Sequence, residues 1–112
     1  MVSKLVYLAI ASVMLLIITI ILLLPQMTAN PNQPLVDECI AACQKYLATG
    51  KTLDVGPCLL NPINGTEWVC DVAHSPRMQL DNMPDNQCSA YNGGSASHFI
   101  EIMPNCTFIR MA

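Results

Sequence analysis

From Leu5 to Leu24 the chain carries no charged residue, and only Ser12 and Thr19 interrupt the apolar run. A bilayer core of about 30 Å is crossed by roughly 20 helical residues rising about 1.5 Å each. Lipid offers no partner to a backbone N–H or C=O, so each must be paired within the segment, and a helix does this. Residues 5–24 are therefore expected to form a transmembrane helix in contact with the lipid bilayer. A cleaved signal peptide is the rival reading. Its apolar region runs about 7–15 residues and ends in a small-x-small site. The run here is longer, and the best candidate cut, after Ala29, has Met27 where a small residue is wanted. An uncleaved signal anchor is expected.

Charge sets the orientation. Lys4 precedes the span, and Asp37 and Glu38 are the first charges after it. The positive-inside rule places residues 1–4 in the cytoplasm and everything beyond the span outside, as in a single-pass cell-membrane protein. The overall composition, 53% hydrophobic and 12% charged, averages two unlike parts. All eight acidic residues and four of the five basic ones lie beyond the span. A net charge of −3 with so few basic residues excludes nucleic-acid binding through a basic patch.

Residues 25–36 contain Pro25, Pro31 and Pro34. Proline disfavours helix interiors and suits polyproline-like extension, so this segment is read as a stalk. Residues 37–112 form the outer domain. It is poor in Leu, Ile, Val and Phe and holds all six cysteines, Cys39, Cys43, Cys58, Cys70, Cys88 and Cys106. A small domain with a thin apolar core needs covalent help, and an even cysteine count outside a membrane reads as a disulfide framework. The spacing C-x3-C-x14-C-x11-C-x17-C-x17-C singles out no pairing among the many that six cysteines allow. It contains no C-x-C, unlike defensin-like folds, and no C-x-x-C, unlike thioredoxin-type sites and zinc ribbons.

Asp37 is placed to cap a helix from Glu38 to about Ala48, stopped by Gly50, with Ile40, Cys43 and Leu47 on one face. Residues 51–65 read as irregular. Glu67–Val72 alternates, with Trp68, Cys70 and Val72 to one side. Residues 74–86 read as loop. A three-stranded meander is expected after that, from Gln87–Tyr91, Ser97–Met103 and Cys106–Met111, with Asn92-Gly93-Gly94 as a hairpin turn. Asn64 and Asn105 each begin an N-x-Thr glycosylation triplet in a turn.

The densest chemistry is Trp68-Val-Cys-Asp-Val-Ala-His-Ser-Pro-Arg77, with His98-Phe-Ile-Glu101 next. One reading makes Cys70 a nucleophile, His98 its base and Asn105 the residue that orients the imidazole. The order of these residues resembles papain-like and transglutaminase-like hydrolases. Pro76 blocks the long helix those folds place after the cysteine, and half of a cystine is the commoner fate of Cys70. A second reading makes Cys70, His74, Cys88 and His98 a tetrahedral zinc set, although the spacing fits no standard finger. Asp81, Asp85 and Glu101 read as scattered solvated carboxylates, and no calcium-loop spacing joins them.

Together Gly56-Pro-Cys-Leu59, Trp68–Arg77, Asp81-Asn-Met-Pro-Asp-Asn-Gln-Cys88 and His98–Glu101 resemble a family of short uncharacterised archaeal membrane-anchored proteins, over roughly residues 38–112. The resemblance implies a cell-surface setting and supplies no activity. The expected architecture is one transmembrane helix followed by a small disulfide-rich α+β domain, a short helix on a small antiparallel sheet. The expected function is binding or structural, with a surface protein or a glycan as partner and no cofactor. A thiol hydrolase using Cys70 and His98 is the alternative.

Overall fold

The computed structural model describes residues 1–24 and 29–112. Helix α1, Lys4–Leu23, is exposed on all sides and is long and apolar enough to cross a membrane. Its Ser12 and Thr19 side chains are satisfied within it. Ser12 Oγ donates to the Ala9 carbonyl, and Thr19 Oγ1 lies 2.9 and 2.8 Å from the Leu15 and Leu16 carbonyls. The Ser12 and Thr19 hydroxyls thus need no partner from lipid.

Helix α2 spans Gln33–Leu47 and starts earlier than Asp37. Pro34 falls in its first turn, where the missing N–H had no helical partner and the fixed φ is already helical. Gln33 Nε2 donates to Asp37 Oδ1 at 2.9 Å, so Asp37 braces the first turn from inside the helix. Of the expected stalk, residues 25–28 lie outside the described residues and residues 33–36 are helical. Gly50, at φ 80°, follows the helix end, and its N–H returns to the Leu47 carbonyl. Val36, Cys39 and Cys43 form the buried stripe, with Ile40 and Leu47 packed at its border.

Four strands follow: β1 (Cys58–Leu60), β2 (Trp68–Val72), β3 (His98–Ile102) and β4 (Phe108–Met111). They lie in sequence order in one sheet, but the sheet is mixed. β1 and β4 pair antiparallel with their neighbours, whereas β2 and β3 run parallel, Trp68 opposite His98 and Asp71 opposite Glu101. The purely antiparallel meander is thus corrected. Its first expected strand, Gln87–Tyr91, is largely replaced by a one-turn helix α3, Ser89–Asn92. The side chain of Asn61 holds that turn: its Oδ1 accepts the Ala90 N–H and its Nδ2 donates to Ser89 Oγ, at 2.8 and 2.7 Å. The donor a strand would have offered to a ladder is taken. Asn92-Gly93-Gly94 therefore ends a helical turn and makes no hairpin. The long connection a parallel pair requires is residues 73–97, which includes the 3₁₀ turns Gln79–Asn82 and Pro84–Asn86.

The pleat divides the sheet into two faces. Cys70, Val72, Ile100 and Ile102 point toward α2 and form the main core with Val36, Leu53 and Ile63. Val69 belongs to a smaller cluster on the opposite face with Cys88, Ala96 and Phe99. Three disulfides tie this together: Cys39–Cys70 and Cys43–Cys106 pin α2 to the sheet and to the β3–β4 turn, and Cys58–Cys88 pins the 73–97 connection to β1. The molecule is a small disulfide-rich α+β domain with a single candidate membrane helix.

Candidate functional site

On the face of the sheet away from α2, the pleat sets Asp71 on β2 beside Glu101 on β3. Each sits in the middle of a strand whose neighbours are buried, so both carboxyls are nearly inaccessible, at 8% and 6% exposure. A cleft of about 230 Å³ opens above them. Sheet residues Asp71, Glu101 and Arg110 form one side, and Arg77, Gln87 and Tyr91 from the connection form the other.

The two carboxyls have opposite environments. Glu101 Oε1 accepts from Arg77 NH1 and Glu101 Oε2 from Arg110 Nε, both at 2.8 Å. Burial works against its charge, but the hydrogen bonds and charges of Arg110 and Arg77 outweigh burial and hold the carboxyl below its usual range. Asp71 has no such clamp. Among the described residues, its Oδ1 is buried with no hydrogen-bond partner. Burial first, and the neighbouring Glu101 charge second, push Asp71 up to about 7, with Arg77 opposing. At neutral pH the cleft floor thus holds one carboxylate fixed as an anion and one acid near its midpoint.

The walls supply a second kind of surface. The Arg110 guanidinium lies 5.0 Å over the Phe99 ring, and the exposed Tyr91 meets Phe99 edge-on at 5.3 Å. The Asp71 carboxyl also lies within 4.8 Å of both sulfurs of the Cys58–Cys88 bridge.

The connection that forms the far wall is held by another buried carboxylate, Asp81. It accepts the His74 N–H at 3.0 Å, the Met78 N–H at 2.8 Å and the His74 ring Nδ1–H at 2.8 Å. Burial opposes its charge, but these hydrogen bonds keep its pKa below the ordinary value. Gly56 makes room for it: at φ 69°, a Cβ there would lie 2.7 Å from Asp81 Oδ1. His74 and Asp81 thus have a structural job beside the cleft.

The residues singled out by motif do not assemble. Cys70 is bonded to Cys39, so its sulfur has no thiolate form to offer. His98 lies opposite Trp68 in the ladder and stacks on that ring at 4.5 Å. Asn105 sits exposed in the β3–β4 turn, where its Oδ1 accepts the Thr107 N–H. The zinc set is divided. Cys70 and Cys88 belong to different bridges in different clusters, and His74 is engaged by Asp81. Asn64 and Asn105 are both exposed.

Asp71, with Arg77 and Arg110 converging on Glu101, was hidden by the strand pattern. The available signal was a lone acid inside each apolar strand, Trp-Val-Cys-Asp-Val and His-Phe-Ile-Glu-Ile. No family model matches the chain, and neither the curated proteins nor the solved structures provide a match.

Proposed function

We propose that this chain is a membrane-tethered binding domain, with the cleft above Asp71 taking a small, neutral, hydroxyl-rich ligand such as the end of a glycan. The observation that carries this is the buried Asp71 Oδ1 with no hydrogen-bond partner. Leaving a buried acceptor unpaired costs about 1–3 kcal/mol, and a ligand hydroxyl donated into the cleft would recover it. The charge around it argues for a neutral ligand. Two carboxyls face two guanidiniums, and Glu101 is already paired with both. An ammonium would meet Arg77 and Arg110, and an anion would meet Asp71. Tyr91, Gln87 and Asn92 offer an aromatic edge and amides that donate and accept, the mixture a polyhydroxylated ligand needs.

The domain is proposed to face outward, with α1 as a retained anchor, its N-terminus in the cytoplasm, and the segment after it as a spacer from the lipid. Three disulfides and an N-terminal apolar helix fit that placement. Glycosylation at Asn64 and Asn105 belongs to the same proposal, on the strength of their exposure in turns.

The test is NMR of the full chain in phospholipid nanodiscs, titrated with methyl glycosides and, in parallel, with methylammonium. The glycosides are expected to shift the Asp71 carboxyl and Arg77 Nε resonances, and Asp71→Ala to weaken that binding at least about tenfold. A response to methylammonium alone would overturn the neutral-ligand reading. No response at the cleft to either probe would overturn the binding reading.

A further inference from the structure

The three bridges are not equivalent. Cys39, Cys43 and Cys70 are fully buried and Cys106 is nearly so, all between α2 and the sheet. Cys58 is half-buried, and Cys88, though buried at 3% exposure, lines the cleft. Among the described residues, polar acceptors lie beside this third bridge. Both sulfurs lie 3.6–3.9 Å from the carbonyl oxygens of Leu60 and Cys70. The Asp71 carboxyl is within 4.8 Å of both, with Oδ1 unpartnered. A disulfide sulfur has no hydrogen to donate, whereas a thiol does. Breaking the bridge would create two donors beside Asp71, whose Oδ1 has no other partner among the described residues.

We infer that Cys58–Cys88 is an exchangeable redox pair that accepts electrons from a dithiol entering the cleft, with Asp71 handling the proton. The first thiol of the dithiol ionises to solvent, and its thiolate attacks Cys88 Sγ. The bond between Cys58 and Cys88 breaks, a mixed disulfide forms, and Cys58 Sγ leaves with the electron pair and takes the proton of Asp71. The second thiol of the dithiol gives its proton to Asp71 and attacks the mixed disulfide. Cys88 Sγ leaves as a thiolate and is protonated from solvent. The dithiol has become a disulfide, the protein has gained two electrons and two protons, and Asp71 has returned to its starting state.

Asp71 is suited to this because it holds a proton close to neutrality. The charged groups around it are Glu101 on β3, Arg110 on β4, and Arg77 and Asp81 in the connection, with the Tyr91 phenol on α3. The exchange needs no glycan in the cleft, so it goes beyond the binding reading and is tested apart from it.

The full chain in nanodiscs is treated with limiting dithiothreitol, quenched with N-ethylmaleimide and mapped by peptide mass spectrometry. Cys58 and Cys88 are expected to be alkylated at least about tenfold faster than the other four cysteines. Asp71→Asn is expected to keep that order and slow the first opening at pH 7 at least about fivefold. In the wild type, the rate divided by the thiolate fraction of dithiothreitol should fall as pH rises through about 7, which tests Asp71 without a variant. First opening of Cys39–Cys70 or Cys43–Cys106, simultaneous opening of all three, or a flat corrected pH profile would overturn the inference.

Discussion

Asp71 and Glu101 occupy neighbouring positions of one ladder, yet only Glu101 is stabilised as an anion. This gives the domain two opposed pH limbs. Glu101 and Asp81 have lowered pKa values, so their contribution is present above the unfolded values of 4.5 and 3.8 and is lost as pH falls through the folded ones. Asp71 is raised from 3.8 to about 7, so across that window the native state binds more protons than the unfolded one and stability falls as pH rises. The span of the Asp71 limb is on the order of 4 kcal/mol. Denaturant unfolding followed by the single Trp68 should therefore show greatest stability near about pH 4–5. Asp71→Asn should remove the decline between pH 4 and 7 and leave the acid limb. A wild-type profile flat across that window would contradict the assignment. Asp81 makes a separate prediction. Asp81→Ala leaves the His74 and Met78 N–H groups unpaired and should cost about 2–4 kcal/mol in the same measurement. These roles were poorly legible from sequence, because an acid in a strand reads the same whether its face meets solvent or a folded-back connection. Residues 73–97 bury Asp71, and a pattern search on β2 alone does not see them.

The elements were legible in proportion to their length and regularity. The apolar run gave α1, and the alternation from Trp68 gave β2 and the inward side of Cys70 and Val72. The short segments followed tertiary contacts. α3 exists where Asn61 takes the Ala90 N–H, and α2 starts early because Pro34 is tolerated in a first turn. Parallel pairing of β2 and β3 was not legible either. It depends on a 25-residue connection being folded against the sheet rather than on either strand's own pattern. Disulfides decide how α2 docks. Cys43–Cys106 spans 63 residues, against 31 and 30 for the others, so it restricts the unfolded chain most. Cys106 also sits at φ 71°, a left-handed conformation that disfavours a side chain. Replacing the pair by Cys43→Ala with Cys106→Ala should cost about 4 kcal/mol. Cys43→Ala with Cys106→Gly should recover about 1 kcal/mol of that loss, because glycine accepts the left-handed backbone. Equal stability of the two double variants by guanidinium unfolding would mean that the turn relaxes once the bridge is gone.

At the scale of the whole molecule, a helix with no charge after Lys4 precedes a domain whose small core is closed by three bridges. Both features bear on the same claim. The helix is long enough to cross a membrane, and the bridges are suited to an oxidising side of it. The thin core also explains why the cysteines are best spent on structure at the α2 interface, where Cys39, Cys43 and Cys70 are buried as core residues as well as cross-links. The Cys58–Cys88 pair, which reaches the cleft beside Asp71, is the one proposed to exchange. All of this rests on the domain lying outside. The direct measurement is a fusion of alkaline phosphatase, which is active only where its own disulfides form, after Ala112 of the full chain, alongside a matching fusion of a reporter active only in the cytoplasm. An active phosphatase and a silent cytoplasmic reporter are predicted. The reverse would place the domain in a reducing compartment and contradict both its orientation and the disulfide framework that holds the cleft.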